Sequence, residues 1–129
     1  MINTIVIHCS ASPQGRGDDA ATIHRWHKQR GWAGIGYNWV IVESGAVQAG
    51  RPEYWTGAHC KGHNTGSIGI CLIGEDTFTD EQMSALVGMV RILKAKYPGA
   101  EVLGHYQLDD GKTCPNIDIP QWLHEHGLA

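Results

Sequence analysis

The 129-residue chain has no Cys-x-x-Cys pair, no internal repeat, no low-complexity stretch and no block of one charge. Each absence removes a class of function. Lysine and arginine total 10 against 13 acids, the net charge is -3, and the basic residues are scattered singly. A domain that tracks a nucleic-acid backbone carries a basic patch, so no direct nucleic-acid partner is expected. No apolar run approaches the length of a bilayer span, so no membrane insertion is expected. Met1-Ile2-Asn3-Thr4 leads straight into an apolar run, without the basic segment and small-residue cleavage site of a secretory signal. Synthesis as a soluble cytoplasmic chain is therefore predicted. In such a chain the four cysteines default to reduced thiols, with metal binding or catalysis as the special cases.

What is present is ordinary globular composition, 42% apolar and 18% charged, at a length suited to one domain that needs no disulfide staples. Two counts are high: 17 glycines point to tight turns and close backbone approaches, and eight histidines point to a metal or a general base. Residues 2–8 (INTIVIH) read as a β-branched strand ending at a histidine. A helix is predicted over 18–31, from Asp18-Asp19 to Gly31, with Ala20, Ile23 and His27 on its inner stripe. Strands over 39–43 and 46–50 flank a Ser44-Gly45 turn, and 68–73 (IGICLI) reads as a strand buried on both faces. Thr79 and Gln82 form a capping-box signature for a helix that runs through Leu86, Val90, Leu93 and Tyr97 to Pro98-Gly99. A short strand at 101–104, a loop at 105–117 and a last helix at 118–126 complete an α/β single domain with a mixed central sheet flanked by helices.

His8 closes the first strand, His105 follows another, and Cys114 stands in a loop before Pro115. Two imidazoles and a thiolate satisfy the three-ligand count of a catalytic zinc that keeps one position open. Taken singly, each histidine is more often a surface or satisfied strand-end residue, and Cys114 more often a small buried hydrophobe. Cys9 alternates to the opposite face from His8 and is not expected to share its metal.

The local strings are more specific. Ile7-His8-Cys9-Ser10-Ala11, Trp26-His27-Lys28, Gly31-Trp32, Ile35-Gly36-Tyr37-Asn38, Gly50-Arg51, Gly57-Ala58-His59, Asn64, Ser67-Ile68-Gly69-Ile70, Gly104-His105 and Lys112-Thr113-Cys114-Pro115 occur in that order. Together they resemble the type 2 N-acetylmuramoyl-L-alanine amidase family, shared by phage lysozyme-like amidases and peptidoglycan recognition proteins. The likeness runs from about residue 5 to residue 122 and is strongest to the phage branch. It implies a Zn2+ cofactor on His8, His105 and Cys114, polarising the amide between the N-acetylmuramoyl lactyl group and L-alanine of the stem peptide. It also implies catalytic roles for Tyr37, as a hydrogen-bonding phenol, and Lys112, as an oxyanion-stabilising ammonium, with His59 and Asn64 on the substrate side.

The implied role is that of a phage endolysin: a monomer made in the host cytoplasm that acts on peptidoglycan after release. Some phage relatives restrain a phage RNA polymerase, partly through the segment before the first strand. Here that segment is a few residues long, which counts against such a partner. The chain is expected to consist of the catalytic domain alone. Two other readings stay open at this point. One is a peptidoglycan-binding module without catalysis. The other is a cysteine–histidine peptidase with Cys60 or Cys9 as nucleophile and His59 or His105 as base.

Overall fold

A computed structural model describes residues 1–129. The elements are β1 (Thr4–Cys9), α1 (Ala20–Gln29), β2 (Trp39–Ile41), β3 (Val47–Ala49), β4 (Ser67–Leu72), α2 (Asp80–Lys96), β5 (Glu101–Gly104), a 3-10 turn (His105–Gln107) and α3 (Ile119–Glu125). The strands form one mixed sheet in the order β3-β2-β4-β1-β5. Only the β2–β3 hairpin is antiparallel; β1 pairs parallel with both β4 and β5, and β2 with β4.

Alternation along the central strands sorts the core into two layers. Ile5 and Ile7 of β1 and Ile68, Ile70 and Leu72 of β4 meet Leu86, Met89, Val90 and Leu93 of α2 and Ile119 and Trp122 of α3. Cys71 and Val40, on the other face, pack with Ile23 of α1, Ile35 and Ile73. Covering both faces is what leaves β4 buried at all six positions. Leu86 is fully buried at the centre of the larger layer. Burying one such side chain stabilises the fold by about 1.5–3 kcal/mol.

The helix ends follow the chemistry of their caps. Thr79 accepts from the Gln82 N–H and Gln82 accepts from the Thr79 N–H. Asp80 and Glu81 then sit in the first turn of α2, and Lys94 and Lys96 in the last, both in the favourable sense of the helix dipole. The expected start of the first helix shifts inward. Asp19 is the cap, accepting from Thr22, while Asp18 lies outside and pairs with Arg16. Gly31 follows the helix at φ +88°, a left-handed conformation that glycine adopts without strain.

The expected hairpin strands are shorter, three residues each, because Val42 and Ala46 close the turn around Gly45. The 105–117 stretch, expected as plain loop, begins with the 3-10 turn. Its Tyr106 N–H donates to the Cys114 carbonyl at 3.0 Å, so the two ends of the loop are clamped together. No helix is long and apolar enough to cross a membrane.

Candidate metal centre

The parallel register assembles the site. Ile7 is level with Gly104, so His8 and His105 leave adjacent strands side by side. Ligand sites in such sheets form at the carboxyl ends of the strands, where neighbouring loops converge. The Tyr106–Cys114 clamp then delivers Cys114 to the same corner. The ligating atoms of His8, His105 and Cys114 all lie within 4.8 Å of one another. His8 Nδ1 and His105 Nδ1 are 3.1 Å apart. Tetrahedral zinc, with bonds of about 2.05 Å to nitrogen and about 2.3 Å to sulfur, sets its ligand atoms roughly 3.3–3.6 Å apart. The histidine pair stands close to that separation, and the thiol needs an approach of no more than about an ångström. Donor type and spacing therefore fit a zinc ion.

The electrostatics favour ligation over protonation. Burial holds His8 well below its ordinary value, and the neighbouring His59 and His105 push the same way. His59 falls to about 4, mainly through burial. His105 is lowered by burial and by Lys112 against the opposing pull of Asp109, whose carboxylate stands 4.0 Å from its Nε2. All three imidazoles are thus neutral near pH 7, the form that binds metal.

Cys114 Sγ accepts from the Cys9 N–H at 2.8 Å. The Cys114 thiol also faces the Cys9 carbonyl at 3.7 Å. The proximity of the two thiols lowers Cys9 to about 7 and raises Cys114, with burial adding to that rise. A metal bound there would reverse this order, because a ligating thiol is deprotonated outright.

Tyr37 flanks the centre, its ring centroid 5.0 Å from that of His8. Burial pushes its phenol well above the ordinary value, so it keeps its proton and remains a donor. The segment carrying it is held on several sides. His27 accepts the Gly36 N–H, His24 accepts the Ile35 N–H, and Arg51 donates to the Ile35 carbonyl. Asn38 bridges the Gly69 N–H and the Arg51 carbonyl. The sequence reads His27 as a packing or supporting residue of the first helix, while His24 reads only as a helix residue and its bond to Ile35 has no local signal. Lys112 is exposed, with its charge felt at His105.

His59 is buried and Asn64 half-buried. His59 is 8% exposed, with Nδ1 2.9 Å from His8 Nε2 and Nε2 3.0 Å from Ser67 Oγ. Asn64 Oδ1 accepts from the His59 and Cys60 N–H groups. Cys60 is 2% exposed and its thiol is raised by burial and Asp109, the reverse of what an activated nucleophile needs. Of the two candidate bases for such a peptidase, His59 is engaged elsewhere, paired with His8 and Ser67.

Comparison with known proteins identifies the family of the chain. The family model described as N-acetylmuramoyl-L-alanine amidase matches residues 1–117. The chain is 37% identical to the endolysin of Escherichia phage T7, over 98% of this chain and 89% of that protein. It is 38% identical to the endolysin of Enterobacteria phage K11, over 91% and 82%. Among solved structures it is similar to the N-acetylmuramoyl-L-alanine amidase LysC from Clostridium intestinale, with a TM-score of 0.89, 30% identity and coverage of 99% and 87%. Drosophila PGRP-LB is similar at a TM-score of 0.79 and 28% identity, over 88% of this chain and 74% of that one. On the family match and these relatives, the chain belongs to the N-acetylmuramoyl-L-alanine amidase family.

Proposed function

We propose that the protein is a zinc-dependent endolysin that hydrolyses the amide between the N-acetylmuramoyl lactyl group and L-alanine of the peptidoglycan stem. The observation that supports this most is the convergence of His8, His105 and Cys114 at one corner of the sheet, with Tyr37 packed beside His8. A zinc ion held there supplies a Lewis acid and a water acidic enough to attack near neutral pH. The remaining work falls to the chain. The Tyr37 O–H, kept protonated by burial, donates a hydrogen bond to the oxygen at the reacting carbon. The Lys112 ammonium, exposed and free to swing, offsets the negative charge that develops on the former carbonyl oxygen. Water adds to the carbonyl carbon; collapse of the tetrahedral adduct breaks the C–N bond as water's protons pass to the nitrogen, leaving a lactyl carboxylate and the ammonium of L-alanine.

The test is product analysis on purified peptidoglycan. The expected products are new L-alanine amino termini without new reducing sugars. Reducing sugars would make the protein a glycosidase. Sedimentation with the wall and no product of either kind would make it a binding module.

A further inference from the structure

A hydrogen-bond chain runs from the metal corner into the protein, and its direction is set at the far end. Ser67 Oγ lies 2.9 Å from the Asn64 carbonyl oxygen. A carbonyl only accepts, so the single Ser67 hydroxyl proton points to Asn64. The Ser67 oxygen must then accept from His59 Nε2–H, 3.0 Å away. A neutral imidazole protonated at Nε2 presents a lone pair at Nδ1. That lone pair faces His8 Nε2 at 2.9 Å, so His8 is the donor and carries its proton on Nε2. The His8 Nδ1 lone pair is left facing His105 Nδ1, 3.1 Å away, where the metal ligands converge.

The protein makes room for this arrangement. A Cβ on Gly69 would stand 2.6 Å from His59 Cγ, and one on Gly57 would stand 2.7 Å from His59 Cδ2. The His59 ring therefore fits its slot only because both positions are glycine. Gly69 itself lies in β4, two residues from Ser67 and on the same face. Asn64 ties the two ends of the loop together, because its side chain holds the His59 N–H while its carbonyl takes the Ser67 proton.

We propose that His59 and Ser67 are positioning residues that hold His8 in the tautomer whose Nδ1 is free to bind the metal. The inference deepens the zinc-amidase reading and rests on it. Outer partners of metal-bound histidines characteristically fix ring orientation and tautomer in this way.

Two readouts besides activity test it. In the metal-free protein, nitrogen NMR of the imidazole rings is expected to show His8 protonated at Nε2; protonation at Nδ1 would overturn the proposal. Zinc affinity, measured by competition with a chromophoric chelator, is expected to fall roughly 10–100-fold in His59→Phe. His59→Asn, which returns an acceptor near the Nδ1 position, is expected to recover part of that loss. Parent-like affinity in a folded His59→Phe would overturn the proposal. Should that variant not fold, Ser67→Ala leaves the ring in its slot and removes only its direction. A mixture of His8 tautomers and several-fold weaker zinc binding are then expected, and a parent-like tautomer with parent-like affinity would overturn it. A protein whose zinc affinity depends on His59 but which releases no L-alanine termini would sink the amidase reading while leaving this inference intact. Hydrolysis with zinc binding indifferent to both residues would do the reverse.

Discussion

Gly69→Ala and Gly88→Ala make the same chemical change with opposite expected outcomes. At Gly69 the added methyl would sit 2.6 Å from His59 Cγ, the root of the ring rather than a mobile end. The ring must leave its slot, and both of its hydrogen bonds, to His8 and to Ser67, are lost together. Each buried polar group left without a partner costs about 1–3 kcal/mol, so a total of about 2–5 kcal/mol is expected. At roughly 3–5 °C per kcal/mol for a domain of this size, the melting temperature should fall by about 6–25 °C. Gly88 lies on the exposed side of α2 with nothing within 4 Å of the new methyl. There the change relieves a helix of its most flexible residue and should stabilise by about 0.5–1 kcal/mol. Thermal denaturation of the two variants beside the parent measures both signs. A Gly69→Ala protein that melts within about 2 °C of the parent would refute the account of the His59 slot.

Tyr37→Phe should keep the fold and zinc affinity while the turnover rate falls roughly 100-fold or more, the usual loss when one donor to a developing oxyanion is removed. Steady-state rates beside chelator competition separate the two effects, and a parent-like rate would remove Tyr37 from the reaction. Lys112→Ala, at an exposed position, should change stability by no more than about 0.5 kcal/mol yet lower the rate at least several-fold. His59 contributes to the pH dependence of stability, alongside His27 and His8, which are lowered in the same direction. The folded His59 value of about 4 lies below the usual 6.5, so the unfolded chain binds the proton more readily. Stability from this residue is complete above pH 6.5 and falls as the pH drops from 6.5 to 4, by on the order of 3 kcal/mol. Urea denaturation of the metal-free protein at pH 7 and pH 4.5 checks it, and a smaller pH difference is expected in His59→Asn.

The strongly periodic parts of the fold were legible in the sequence. The Thr79–Gln82 capping box, the β-branched run before His8 and the apolar run at 68–73 each became the expected element. Local signals sufficed there because side-chain period and cap chemistry act within a few residues. The β2–β3 hairpin was over-read, since the turn hydrogen bonds around Gly45 end both strands early.

The proximity of His8, His105 and Cys114 came from ordered motifs alone. No spacing rule shows that parallel register sets Ile7 beside Gly104, or that the Tyr106 amide clamps Cys114. The inward placement of His59 was hidden for a similar reason. It depends on Gly57, Gly69 and Ser67 meeting one ring from separate parts of the chain. Cys60, which follows His59 in a loop and reads as exposed, is buried, with its amide held by Asn64.

The most direct test is hydrolysis of purified peptidoglycan by chelator-stripped protein, before and after one equivalent of Zn2+, followed as free L-alanine amino termini. The account predicts no termini from the stripped protein, recovery on adding zinc, and no recovery in Cys114→Ala. Termini released at the parent rate by the stripped protein would contradict it.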